Sequence, residues 1–223
     1  LAKNSIVRGD GVVVIGLGRF GSAVAQSLVH LGHEVLAIDE SAELVQNWAT
    51  RLTHVVEADS CNTDSLRRLG VQDFPHAVVG IGTDIEASVL TVLALSELGV
   101  PDIWAKAINP NHGRILERTG AHHVVYPEAA MGERVAHLVT GKMIDFIEFD
   151  DGFAIVKTTA PEEAVGKSLG ESALRSKYGV TIVGVKRRKM DFTYATPETM
   201  VEAGDLLIVS GPTKLVERFA ALT

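Results

Sequence analysis

From residue 12 to about residue 127 the chain alternates short apolar runs with longer stretches of mixed polarity. The runs are VVVIG (12–16), EVLAID (34–39), THVVEAD (53–59), HAVVGIG (76–82), IWAKAI (103–108) and HHVVYP (122–127). They show little alternation of polar and apolar positions, as expected for strands covered on both faces. Between them the apolar positions take a helical period. Val24, Leu28 and Leu31 fall at i, i+4 and i+7 before Gly32, and IEASVLTVLALSELG fills 85–99 ahead of Pro101. Six strands with intervening helices predict an α/β fold, a Rossmann-like, doubly wound parallel sheet.

The pattern changes after Pro127. GERVAHLVTGKMIDF (132–146) sets Val135, Leu138, Val139 and Phe146 on one side, and predicts one long helix with no returning strand. Then come strand-like FAIVKTTAP (153–161), GVTIVGVKRR (179–188) and DLLIVSGP (205–212), and a terminal helix in TKLVERFAALT. These runs predict a small α+β C-terminal lobe. The expected organisation is a nucleotide-binding domain over 1–127, a crossover helix and linker over 128–148, and a lobe over 149–223. Gly80-Ile81-Gly82 echoes the first glycine loop but lacks a third glycine, so no repeat is read.

Composition narrows the classes. The chain has 223 residues, 46% hydrophobic and 22% charged, with net charge −7, which suits a soluble globular protein. Lys186-Arg187-Arg188-Lys189 is the densest basic cluster and reads as a solvated hairpin tip. An acidic chain is repelled by phosphate backbones, so nucleic acid is not expected as a partner. A single cysteine, Cys61, excludes an intramolecular disulfide and fits a reducing compartment; the thiol reads as a spectator beside a loop. No run approaches the ~18 apolar residues of a membrane span. The opening LAKNSIVRGDG lacks the apolar centre of a signal peptide. Action at a membrane would therefore go through a partner.

Gly16-Leu17-Gly18-Arg19-Phe20-Gly21 carries the G-x-G-x-x-G spacing between a predicted strand and a predicted helix, the context a dinucleotide fingerprint requires. Gly16 permits the tight turn, Gly18 lets backbone approach phosphates, and Gly21 lets helix and strand pack closely. The helix N-terminus offers N–H groups to an anion. Asp39 ends the second strand 23 positions after Gly16, where a ribose-binding carboxylate is expected, and its charge disfavours a 2′-phosphate. Asp59 and Ser60 end the third strand at the same edge; they read either as base recognition or, for Ser60, as the cap of the next helix. Gly82, Thr83 and Asp84 end the fourth strand. Lys106, late in the fifth, reads as a phosphate ligand or as a covered lysine with its head in solvent. Phe20 and Glu40, beside Arg19 and Asp39, are counted in the same site.

An NAD-dependent oxidoreductase needs an acid/base group with an orienting partner beside the cofactor. The eight histidines do not supply one. His122 and His123 are adjacent on a strand and point to opposite faces. His30, His33 and His137 read as structural or solvated, and the C-terminal lobe has no histidine or cysteine. The chain is therefore not expected to be an enzyme.

Taken together, VVVIGLGRFGSAVAQSL, EVLAIDE, VVEADSCN, GIGTDIEASVLTVL, IWAKAIN, VVYPEAAMGERVA and SKYGVTIVGVKRR resemble the regulator-of-potassium-conductance (RCK, or KTN) family, of the Ktr type. The resemblance covers nearly the whole chain. It implies a cytoplasmic regulatory subunit, peripheral to the inner face of the cell membrane, that senses ATP against ADP. It also implies a homo-oligomer, dimers assembled into an octameric ring under a KtrB-like membrane potassium transporter. In that frame Gly16, Gly18 and Gly21 cradle phosphate, Asp39 holds the ribose, Asp59 lies by the base, and Arg19 approaches the terminal phosphate. Glu128 would help hold a cation near the dimer axis. Arg175, Ile182 and Pro197 are positions for cyclic di-AMP at a C-lobe interface. A Trk-type regulator reading NAD(H) is the alternative, although such chains commonly carry two units.

Arg19 has a physical role independent of the resemblance. A guanidinium suits bidentate phosphate contact. The greater charge of ATP over ADP gives it a differential interaction, which is what shifting an equilibrium requires.

Overall fold

A computed structural model describes residues 11–140 and 143–222. The opening stretch read for a leader falls mostly on residues 1–10, outside the described residues, as do Gly141 and Lys142 of the expected long helix. The chain divides into two compact units between Glu128 and Ala129.

The first unit alternates β1 (Val12–Ile15), α1 (Arg19–His30), β2 (Val35–Asp39), α2 (Ala42–Trp48), β3 (His54–Glu57) and α3 (Thr63–Arg68). It continues with β4 (His76–Val79), α4 (Ile85–Glu97), β5 (Asp102–Lys106), α5 (Pro110–Thr119), β6 (His123–Val125) and the start of α6 (Pro127–Thr140). The six strands form one parallel sheet in the order β3-β2-β1-β4-β5-β6. All four residues of β1 are buried: Val13 and Ile15 join one apolar cluster, Val12 and Val14 another. Each face of the sheet thus has its own core, which is why the run carries no polar positions. The order reverses between β1 and β4, so the carboxyl ends of the strands open a crevice there.

Helix ends follow local chemistry. The side chains of Ser41, Asn62, Asp84 and Asn109 accept from backbone N–H groups in the first turns of α2, α3, α4 and α5. Ser60, an expected cap, is not one; Asn62 takes that place, and the Ser60 hydroxyl turns to Thr91 on α4 at 2.8 Å. Past α1, Gly32 has φ +92°, as the sequence predicts for a helix stop. Of the apolar positions expected for α1, Val24 is partly buried and Leu28 packs on the core beside buried Gly21, Ser22 and Ala25, whereas Leu31, just past the helix, is 71% exposed.

The second unit corrects the long-helix expectation. Helix α6 ends at Thr140, and Met143–Phe149 is a strand, β7, that pairs antiparallel with β8 (Phe153–Thr159). The main-chain hydrogen bonds offered by β8 override the helical period of MIDF. On α6, Val139 is 78% exposed rather than on a buried side. The chain continues through α7 (Leu169–Ser172), α8 (Leu174–Tyr178), β9 (Thr181–Lys186), β10 (Phe192–Tyr194), β11 (Leu206–Pro212) and α9 (Thr213–Ala220). The sheet order is β10-β9-β11-β8-β7, with antiparallel pairing throughout. The basic run 186–189 does turn between β9 and β10. Strand β10 was not expected: its three residues are all exposed, so no buried face marks it in the sequence. One residue of the basic run is structural. Arg187 pairs through its guanidinium with the buried carboxylate of Asp205, at 3.1 Å, and with Glu202 at 2.9 Å.

Candidate nucleotide site

The crevice of the first unit holds a cavity of about 560 Å³, and the carboxyl ends of β1 to β5 all contribute to its lining. Every residue the sequence nominated in this unit, from Gly16 to Glu128, lines the cavity, with one exception: Gly21 lies behind it.

Gly21 acts through packing. A Cβ there would stand 1.8 Å from the carbonyl oxygen of Gly16, so α1 could not approach the β1 turn. Gly16 has φ +89°, a conformation that glycine adopts without strain. Gly18 differs from both. It precedes α1 with an extended backbone, and a Cβ there meets nothing within 4 Å. The protein itself does not demand glycine at 18; the demand would come from a ligand close to the backbone.

Asp39 anchors the loop. Its Oδ2 accepts from the Leu17 N–H at 2.6 Å and its Oδ1 from the Ser41 N–H at 2.8 Å. Each carboxylate oxygen has a further lone pair, so the side chain can fix the loop and still accept from a hydroxyl. Asp59 is exposed, and its carboxylate accepts from the Cys61 N–H at 2.8 Å. Cys61 lines the cavity as well, which the sequence did not indicate. Burial raises its pKa and the Asp59 charge adds to that, so the thiol stays protonated and is a poor nucleophile. Asp84 is committed to capping α4, through the Ala87 N–H at 2.9 Å.

The cations are arranged unequally. Lys106 is clasped by Glu128, Nζ to Oε1 at 2.6 Å, and lies 5.9 Å from the centroid of the Phe20 ring. The hydrogen bond from Lys106 holds the Glu128 carboxyl below the usual carboxylate range, and the Arg19 charge adds a smaller push. Arg19 is exposed at the first position of α1, and its guanidinium makes no hydrogen bond or ion pair among the described residues. A guanidinium without a carboxylate partner at a helix N-terminus is able to receive an anion. The 22-residue separation of Lys106 and Glu128 hid their pairing from the sequence.

No histidine lines the cavity. His112, in the first turn of α5, is buried, and burial lowers its pKa and favours the neutral ring. His76 and His123 both meet the Asp102 carboxylate, at 2.8 and 3.3 Å. Arg175, Ile182 and Pro197 lie in the second unit, on α8, on β9 and between β10 and β11. No cavity described for that unit is lined by any of them. Among the described residues no helix is long and apolar enough to cross a membrane.

Residues 12–127 match the TrkA-N domain family and residues 153–223 the TrkA-C domain family. The chain is 36% identical to Ktr system potassium uptake protein A of Bacillus subtilis, over 96% of each chain. It is 38% identical to Ktr system potassium uptake protein C of the same organism, over 92% of this chain and 94% of that one. Among solved structures, the GsuK RCK domain matches with a TM-score of 0.67 at 19% identity, covering this whole chain and 48% of that one. The GsuK channel bound to NAD matches with a TM-score of 0.65 at 19% identity, again over this whole chain and 40% of that one. GsuK bound to ADP has a TM-score of 0.52 at 16% identity, over 62% of this chain and 35% of that one. The chain thus spans about half or less of those solved proteins, and at these identities the likeness establishes the fold.

Proposed function

The chain belongs to the TrkA-N and TrkA-C domain family that includes the Ktr system potassium uptake proteins, and from that premise we propose that it is a regulatory subunit that senses ATP against ADP. The observation that carries this reading is Arg19, an uncommitted guanidinium at the phosphate end of a nucleotide-sized crevice. The glycine turn, the α1 N-terminus and Asp39 would hold the parts that ATP and ADP share. Arg19 would meet the charge in which they differ. Lys106 stands in reserve: a third phosphate would compete with Glu128 for its ammonium group.

The protein's relatives are named for potassium uptake, which supports a non-enzymatic, regulatory role. Its partner would be a membrane potassium transporter, acting on the cytoplasmic side. Met131, Val135 and Val139 recur at i, i+4 and i+8 on α6 and are all exposed. This stripe suits the pairing of α6 with a second copy, and from such dimers an octameric ring would follow. Glu128 on its own is one ligand, so a cation there would need donors from a second chain. Cyclic di-AMP at Arg175, Ile182 and Pro197 stays part of the proposal as a C-lobe ligand, tested by direct titration.

The discriminating experiment is calorimetric titration of the full chain with ATP, ADP and NADH, with light scattering to follow assembly. Binding of both adenine nucleotides, with ATP and ADP giving different assembly, is expected. Tight NADH binding without an ATP response would replace this reading by an NAD(H)-sensing one, the ligand seen with GsuK.

A further inference from the structure

The nucleotide crevice leaves a second group of ligating side chains unexplained, and this group lies in the second unit. Helix α6 carries Glu133 and His137 four residues apart, the spacing that puts two side chains on one helical face. Strand β7 supplies Glu148. One ligand atom from each of the three lies within 4.8 Å of the other two. A transition ion sits about 2.0–2.2 Å from imidazole nitrogens and carboxylate oxygens, so a single ion between these donors could reach all three after small side-chain rotations.

The surroundings orient the donors. The His137 Nδ1 meets Oε1 of Glu217 at 3.0 Å, and the ring stacks on Phe146 with centroids 4.1 Å apart. A carboxylate on one ring nitrogen fixes the tautomer and offers the other nitrogen's lone pair to a metal, the usual arrangement around metal-bound histidine. Glu148 is held as well: the Thr213 hydroxyl donates to its Oε1 at 2.8 Å. His137 keeps 23% of its side chain exposed, so an ion has a way in.

We propose that Glu133, His137 and Glu148 form a binding site for a divalent first-row transition ion of the zinc type, with Glu217 as a positioning residue. One imidazole with two carboxylates suits such an ion, whereas calcium and magnesium favour oxygen-only sets. Three protein donors leave a coordination position for water. The bound ion would add a tie between α6 and β7 beside the Arg134–Asp145 ion pair and the His137–Phe146 stack. The site does not include Glu128, which pairs with Lys106 in the first unit.

The test uses the full chain, stripped with EDTA and titrated at pH 7.5 with zinc by calorimetry and with cobalt by visible absorbance. Calcium and magnesium are titrated alongside. One equivalent of zinc per chain is expected, bound more tightly than calcium or magnesium, with a rise in Tm. Glu133→Gln and Glu148→Gln should each weaken zinc at least tenfold and His137→Gln more; Glu217→Gln should cost about tenfold, the scale for such orienting partners. His76→Gln, in the other histidine group, should leave zinc binding intact. Glu133 is exposed on its helix, so its variant reports even if His137→Gln folds poorly. The proposal is overturned if zinc does not saturate, if calcium binds equally well, if Glu133→Gln and Glu148→Gln bind zinc as the parent does, or if His76→Gln abolishes binding.

Discussion

The two units bury their strands in different ways. In the first, β1 and β2 are buried at every position. In the second, buried positions alternate with partly exposed ones along β8 and β11. A parallel sheet covered on both faces sends all its carboxyl ends to one edge, and loops from five strands converge there on one cavity. An antiparallel sheet sends alternate strands opposite ways and gathers no such edge. The second unit instead gathers the ligating side chains Glu133, His137 and Glu148 from helix α6 and strand β7. Parallel order concentrates function at a sheet edge; antiparallel order leaves it to helix–sheet contacts.

The largest expected effect that tests this contrast is in the second core. Phe219 is fully buried and meets Tyr178 edge to face. Phe219→Ala should cost about 3–5 kcal/mol. Hydrogen exchange should locate the loss in β8 and β11 and leave β1 and β2 protected. Equal deprotection of both sheets would break the separation of the units. Next comes a glycine pair in the first unit. Gly21→Ala must displace α1 from the Gly16 carbonyl and should cost at least about 1–3 kcal/mol, with nucleotide binding lost. Gly18→Ala should unfold like the parent, within about 0.5 kcal/mol, yet bind nucleotide more weakly. Denaturant unfolding and calorimetry on the same two variants separate a fold requirement from a ligand requirement.

A smaller effect is in pH. Burial lowers the pKa of His112, so the stability it contributes is present above the ordinary histidine value near 6.5 and lost as pH falls through the lower folded value. Burial alone would raise the Asp205 pKa, but Arg187 and the Glu202 amide outweigh it and the carboxyl stays below its usual value. Its contribution is present above the usual 3.8 and disappears as pH falls below that. Acidification should therefore weaken the first unit before the second, as read by hydrogen exchange between pH 7 and 3. His112→Gln should remove the earlier step and Arg187→Gln the later one.

The legible parts of the molecule were local ones. The glycine loop, its strand and Asp39 lie within one β-α-β stretch, and the parallel sheet follows from such stretches repeating. What stayed hidden depends on distant pairing. Ser60 reads as a cap because Thr91, its actual partner, is 31 residues away. Residues 143–146 read as helix because nothing local announces β8. His137 reads as solvated because its partners Phe146 and Glu217 come from two other elements. The position of Lys106 was legible, but its engagement with Glu128 was not.

If Arg19 makes the crevice respond to which nucleotide is bound, the ATP-to-ADP affinity ratio will differ between the parent and Arg19→Ala, and that ratio is the most direct measurement. A charge-assisted hydrogen bond is worth about 1.5–3 kcal/mol, and each 1.4 kcal/mol is tenfold. In Arg19→Ala, ATP affinity should fall by roughly tenfold or more, ADP affinity should stay within about threefold, and stability should be unchanged. An unaltered ATP-to-ADP ratio in Arg19→Ala would contradict this role for Arg19.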